Sequence, residues 1–160
     1  MVSRLVEVGR PYHYGLEAGS KPELIVALAQ EMAKESLIIC NGVKDDEFIR
    51  LAILSRKLGF NTVIVLESLK EFEIVHRVAR ELDARPLLGV RIKLTQTVTG
   101  KWEASSGDRS TFGLGTEQVV RLVDRLEETG FLDCLVLQHS HLGSQVPNII
   151  DIRRTVAESA

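Results

Sequence analysis

Three short apolar runs recur at a fixed spacing, with Cys40, Val65 and Val90 each 25 residues apart at equivalent places in successive runs. The runs at 36–40, 62–66 and 87–94 show little polar alternation. That is the pattern of strands buried on both faces of a parallel sheet covered by helices. Residues 12–16 and 132–137 read as two further strands. Between the strands, residues 22–34, 45–58, 69–82 and 116–129 have helical spacing. In 45–58 the apolar Phe48, Leu51, Ala52 and Leu58 share one stripe, with Asp46, Arg50 and Lys57 off it. Ser20 and Ser68 read as N-caps, with Glu23 and Glu71 at capping-box spacing. Gly59 and Gly130 fall where a left-handed residue ends a helix. Such alternation predicts an α/β fold with parallel strands and right-handed crossovers. Two architectures fit: an open doubly wound sheet, or part of a (β/α)8 TIM barrel of about five βα units.

Composition is consistent with one packed domain. At 44% hydrophobic and 26% charged the chain can bury a core, which excludes disorder and fibrous repeats. Its formal charge of -2 gives no electrostatic reason to expect nucleic acid or an anionic membrane as partner. No apolar run approaches the roughly 18–20 residues that span a bilayer. The stretch from Met1 to Glu7 lacks a signal-peptide apolar region, so a cytoplasmic protein is expected. Cys40 and Cys134 each sit in an apolar run and read as reduced, buried thiols.

In both architectures chemistry sits at the carboxyl edge of the sheet. Polar residues gather there: Glu17 after the first strand, Asn41 after the second, Glu67 after the third, Arg91 within the fourth, and His139 with His141 after the fifth. Taken singly, a carboxylate or Asn after a strand is as readily an N-cap or turn former. Arg91 differs, because it interrupts an apolar run and a buried guanidinium needs an anion. Glu17, Glu67 or a ligand could supply it. His139 and His141 are two apart and would share a face on an extended strand. No Cys, Asp or further His stands nearby in sequence to complete a metal site, so none is expected. Gly143-Ser144, followed by Pro147 at a helix start, could present backbone N–H groups and a hydroxyl to a phosphate. No G-x-G-x-x-G follows a strand, and no Walker A pattern occurs. Turns at Ser105-Ser106-Gly107 and Gly113-Leu114-Gly115 read as loop chemistry, Trp102 as a lid or rim residue, and His13 and His76 as structural or exposed.

The string Gly15-Leu16-Glu17-Ala18-Gly19-Ser20-Lys21-Pro22-Glu23-Leu24 closely resembles a segment of bacterial biosynthetic arginine decarboxylases. So do Cys40-Asn41-Gly42-Val43-Lys44-Asp45, Ile49-Arg50-Leu51-Ala52 and Leu88-Gly89-Val90-Arg91. Gly100-Lys101-Trp102, Phe112-Gly113-Leu114, His141-Leu142-Gly143-Ser144-Gln145, Asn148-Ile149 and Asp151-Ile152 follow in the same order as in those enzymes. The resemblance covers essentially the whole chain. Its relatives are the pyridoxal-phosphate decarboxylases of the alanine-racemase type.

The resemblance implies pyridoxal phosphate in the mouth of a (β/α)8 barrel, with L-arginine decarboxylated to agmatine and CO2 for polyamine (putrescine and spermidine) synthesis. It implies a small-molecule partner, a full enzyme that is a homo-oligomer, and Mg2+ as a further candidate in that full enzyme. By resemblance, His141 stacks on the pyridine ring, Ser144 binds the cofactor phosphate and Gly143 permits its close approach. Glu17 and Arg91 match a polar pair beneath or beside the cofactor. Asn41, Glu67 and His139 are expected farther out, at the rim or behind it. Two departures stand out: Thr111 where relatives often carry Lys before Phe-Gly, and Ser140 where an aromatic is usual between the two histidines.

The Pro-x-Lys-Val-Asn block that carries the Schiff-base lysine in relatives does not occur, and Lys21 and Lys44 sit in other contexts. At 160 residues the chain is short for a barrel of ~250 residues. Residues 1–160 are therefore expected to be a piece of the pyridoxal-phosphate-binding barrel domain, with no second domain and no activity alone. Open alternatives are a sister decarboxylase or racemase acting on ornithine, lysine or diaminopimelate, a self-contained flavodoxin-like binding or regulatory module, and a barrel that has lost catalysis.

Overall fold

The computed structural model describes residues 1–94, 112–143 and 148–159. In chain order the elements are α1 (Val2–Gly9), β1 (Leu16–Ala18), α2 (Lys21–Leu28), β2 (Leu37–Cys40), α3 (Asp46–Lys57), β3 (Asn61–Leu66), α4 (Leu69–Glu81), β4 (Leu87–Ile92), α5 (Thr116–Glu128), β5 (Leu135–Ser140) and α6 (Ile149–Ser159). The five strands are parallel and stand in sequential order β1-β2-β3-β4-β5.

That order decides between the two architectures. A doubly wound sheet needs a reversal of strand order, so that helices cover both faces. Here Ala18, Ile38, Cys40, Ile64, Leu66, Leu88 and Val90 join one core with Leu24, Phe48, Ile49, Phe72, Val75, Leu122 and Leu126 of the helices. Every one of those strand residues is even-numbered, and successive side chains on a strand point to opposite faces. One face of the sheet thus packs on α2 to α5, as in a singly wound α/β barrel, and the flavodoxin-like alternative fails. The odd-numbered face carries Glu17, Ile39, Val63, Val65, Gly89, Arg91, Leu137 and His139.

The 25-residue beat is one residue off the true repeat. Cys40 pairs with Ile64 and Ile64 with Leu88, a step of 24 residues. Val65 consequently faces away from Cys40 and Val90, opposite Gly89. A Cβ on Gly89 would come within 2.9 Å of Leu137 Cδ2 and 3.2 Å of Val65 Cγ2, so crowding explains the glycine in this apolar run. Beside it the β4–β5 register slips by one residue, leaving Val136 outside the pairing.

Local chemistry sets the helices. Asp45 caps α3 by accepting the Phe48 amide at 2.8 Å. Asp46 and Glu47 in the first turn, and Arg56 and Lys57 in the last, complement the helix dipole. The buried stripe is Phe48, Ile49, Ala52, Ile53 and Ser55; Leu58, expected on it, is the exposed C-terminal cap. Ser68 caps α4 through the Glu71 amide. Ser20 has the extended backbone of an N-cap, but its hydroxyl donates to Glu23 rather than capping an amide.

The expected boundaries fail at the ends of the sheet. The first strand is Leu16–Ala18, because Arg10–Tyr12 form a 3-10 turn closed by His13 in the left-handed region. Tyr12 and Tyr14 are exposed. Leu132–Cys134 likewise form a 3-10 turn, so β5 starts at Leu135 and contains His139 rather than preceding it. Helix α2 stops at Leu28, well before residue 34; the helix start read at Pro147 is followed by α6 from Ile149, and only α1 lies outside the sequence-predicted helices. After β4, Lys93 N donates to Leu114 O at 2.9 Å and Leu114 N to Arg91 O at 2.8 Å. Those bonds pin Leu114 beside the end of β4, so the chain enters α5 from the carboxyl edge.

Candidate functional site

The carboxyl edge brings most of the expected residues together. Glu17 lies within β1, not after it, and accepts Asn41 Nδ2 at 3.0 Å. Glu67 lies one residue past β3 and Arg91 within β4, where it is opposite His139 of β5. Of the two carboxylates that could answer Arg91, Glu67 does: Arg91 Nη1 donates to Glu67 Oε2 at 3.0 Å, with side chains only 12% and 4% exposed. The other Glu67 oxygen accepts the Gly42 amide at 2.8 Å. The guanidinium also stands 5.3 Å above the Phe112 ring, a cation–π arrangement.

His139 sits next to this pair. Burial lowers its pKa below the ordinary 6.5, with the Arg91 cation as the next cause, so its imidazole is neutral at pH 7. Its Nδ1 is buried without a hydrogen-bond partner among the described residues, and so is Asn41 Oδ1. Buried polar atoms are nearly always bonded, so two orphans at one edge mark places where a ligand could bond. His141, just past β5, is exposed, and Gly143 follows with φ 120, a conformation that favours glycine. Ser144, Pro147, Trp102 and the turn at Ser105-Ser106-Gly107 lie outside the described residues.

Three residues of the site carried no such signal in the sequence. Lys44 is fully buried, donating from Nζ to the Gly42 carbonyl and lying 3.4 Å from Glu71 Oε1. Glu71, read as a capping residue, instead accepts the backbone amides of Glu67 and Lys44 at 2.8 and 3.1 Å. Phe112 was read only as part of a Phe-Gly pair. Only the charge of Glu71 beside the loop could have pointed to a buried ion pair. Lys21 is likewise held, 2.8 Å from both Asp45 and Glu47, so neither Lys21 nor Lys44 offers a free amine.

The remaining candidates fall elsewhere. His13 pairs with Glu35 at 3.3 Å on the surface, and His76 packs between Phe72 and Phe131. A cleft of 420 Å³ lined by Arg80, Asp83, Arg85 and Phe131 lies at the opposite end of the strands. Among the described residues no three His, Cys, Asp or Glu side chains form a group that could hold a metal ion. Both cysteines are free and buried, and burial pushes the Cys40 thiol up to about 12.

Comparison with known proteins is specific. The family described as "Pyridoxal-dependent decarboxylase, pyridoxal binding domain" matches residues 1–160. The biosynthetic arginine decarboxylase of Vibrio vulnificus (strain YJ016) is 51% identical over 146 residues, 91% of this chain and 23% of that protein. Arginine decarboxylase 1B of Nicotiana tabacum is 45% identical over 162 residues, 100% of this chain and 22% of that protein. The chain thus spans about a quarter of the length of the curated relatives it matches. Among solved structures, the biosynthetic arginine decarboxylase of Campylobacter jejuni superposes with a TM-score of 0.87 at 32% identity, covering 99% of this chain and 25% of that one. A diaminopimelate decarboxylase of Helicobacter pylori shares the fold alone, with a TM-score of 0.75 at 18% identity over 98% of this chain and 39% of that one.

Proposed function

Because the chain belongs to the pyridoxal-dependent decarboxylases, through their pyridoxal-binding domain, we propose that it forms the cofactor-binding edge of an enzyme converting L-arginine to agmatine and CO2. Identity of 44–51% over 91% or more of the chain, to arginine decarboxylases of bacteria and plants alike, carries the choice of substrate. Diaminopimelate decarboxylases stand at 18–20%.

The residues present fit pyridoxal phosphate. The edge offers a held cation at Arg91, an exposed imidazole at His141, two buried polar atoms unbonded among the described residues, and a glycine at 143 with φ 120. In this reading His141 covers one face of the pyridine ring, while Gly143 and Ser144 receive the phosphate. Arg91 and Glu17 flank the cofactor, with Asn41, Glu67 and His139 supporting them. When bound, the cofactor supplies an electron sink for the charge left as CO2 departs.

What the chain's own residues contribute is position and charge. Glu67 fixes Arg91, so its guanidinium presents a cation without first reorganising. Neutral His139 keeps a second positive charge away from Arg91 and leaves Nδ1 to bond a ligand atom. Asn41, anchored through Nδ2 on Glu17, holds its free Oδ1 toward a donor. Residues 1–160 constitute part of the barrel domain in this reading, and the enzyme acts in the cytoplasm at the entry to polyamine synthesis.

The test is substrate choice by the full-length protein loaded with pyridoxal phosphate. CO2 release is followed with L-arginine, L-ornithine, L-lysine and meso-diaminopimelate at equal concentration. Agmatine from arginine, at least a hundredfold faster than any other product, is expected. A preference for one of the other three substrates overturns the assignment.

A further inference from the structure

Lys44 and Glu71 stay clear of the open edge, with side chains 0% and 8% exposed, yet they close a ring of hydrogen bonds behind it. Glu71 Oε2 accepts the Glu67 amide at 2.8 Å, and Glu71 Oε1 accepts the Lys44 amide at 3.1 Å. Lys44 Nζ lies 3.4 Å from that same oxygen and donates to the Gly42 carbonyl. The Gly42 amide donates to Glu67 Oε1 at 2.8 Å, which returns the ring to Glu67. Only the last Glu67 oxygen leaves the ring, and it takes Arg91.

The loop after β2 is held on its other side too. Gly42 has φ 74, and a Cβ there would sit 2.9 Å from the Gly19 carbonyl oxygen in the loop after β1. Asn41 N donates to Ala18 O at 3.1 Å. The ring therefore joins the loop after β2 to the one after β3 and braces both against the loop after β1. A buried lysine is a costly way to fill space. Burial pulls its pKa below the ordinary 10.5 even with Glu71 and Glu67 opposing the shift. Well-packed apolar side chains often serve stability equally well, whereas a satisfied ionic ring restricts geometry.

We propose that Lys44 and Glu71 are positioning residues of the cofactor site: their ring fixes Glu67 at its amide and at one carboxylate oxygen, and through Glu67 sets where Arg91 presents its guanidinium. The inference rests on the reading that this edge binds pyridoxal phosphate.

The experiment uses the full-length protein and three substitutions. Glu71→Gln removes one of the two acceptor oxygens, and Lys44→Met keeps the stem while deleting the ammonium. Ser55→Ala breaks an equally buried bond, the 2.6 Å Ser55–Thr62 contact between α3 and the start of β3, which has no link to Glu67. Thermal midpoint, the pyridoxal phosphate Kd and the pH dependence of bound-cofactor absorbance are measured for each. Glu71→Gln and Lys44→Met are expected to weaken cofactor binding tenfold or more and to shift the absorbance profile. Ser55→Ala is expected to lower the midpoint and leave both cofactor readouts unchanged. Should the single variants fail to fold, the double variant Lys44→Met/Glu71→Met removes both buried charges together, and it is expected to show the same loss of affinity. A folded variant with lowered midpoint but wild-type Kd and profile overturns the proposal, because the ring is then only structural. A wild-type protein that takes up no pyridoxal phosphate overturns the functional reading and this inference with it, and is recognised because the wild type itself fails.

Discussion

Arg91 and Glu67 form the one ion pair on the described strand-end edge that joins two strands of the sheet, at 3.0 Å and with side chains 12% and 4% exposed. The bond ties β4 to the end of β3 and sets a cation on the odd-numbered face. Removing one partner of a buried pair strands the other charge, at about 3–5 kcal/mol. Arg91→Met and Glu67→Leu are each expected to lose stability on that scale in chemical denaturation. The double variant is expected to lose clearly less than the sum, which a double-mutant cycle measures. Additive losses would mean that the pair is not coupled.

His139 makes stability pH-dependent in a defined window. Its folded pKa lies below the ordinary 6.5, so between those two values the unfolded chain binds more protons. Stability is expected to fall as pH drops from 6.5 toward the folded pKa and to level off below it. His139→Gln should remove that component, and denaturation midpoints at a series of pH values check it. Identical pH dependence in wild type and variant contradicts the assignment.

Cys40 should be chemically silent while the protein is folded. The thiolate is the reactive form, and burial pushes this thiol up to about 12. Iodoacetamide at pH 8 is expected to leave Cys40 unmodified under native conditions and to label it in denaturant, as read by peptide mass spectrometry.

Gly42→Ala combines two costs at the site. The residue has φ 74, and the added Cβ would meet the Gly19 carbonyl oxygen at 2.9 Å. A loss of about 1–3 kcal/mol is expected from the backbone conformation. Because the Gly42 amide bonds Glu67, cofactor affinity should fall with it. Gly59→Ala is the control: its φ is 94 but a Cβ meets nothing within 4 Å, so it should cost stability without touching affinity.

The centre of the sheet was legible and its margins were not. Strands β2, β3 and β4 read as apolar runs because their even-numbered residues pack on the helices while Val63 and Val65 are buried on the other face, so composition alone marks them. β1 and β5 are edge strands among the described residues, and their mixed burial blurs the signal. The predicted strand at 12–16 overlaps the observed one only at Leu16, because the chain is still in a 3-10 turn at Tyr12. The beat of 25 rather than 24 shows the finer limit, since one residue of slip exchanges the faces of a strand. Arg91 was legible as a charge inside an apolar run, and its need for an anion left Glu17 and Glu67 as candidates. Choosing between them needed the register, which pairs Leu66 with Val90 and so brings Glu67, one residue past β3, level with Arg91. Glu71 and Lys44 were illegible because a Glu in a first helical turn reads as a cap, and nothing nearby in sequence says that a lysine will be buried.

In the proposed reading, this carboxyl edge holds pyridoxal phosphate through His141, Gly143 and Arg91. Titration of the full-length apoprotein with pyridoxal phosphate, followed by absorbance, tests it most directly in wild type, His141→Ala and Arg91→Met. Saturable binding by the wild type and an at least tenfold weaker Kd in each variant are expected, with His141→Ala keeping the wild-type thermal midpoint because its side chain is exposed. Wild-type affinity in both variants would contradict it.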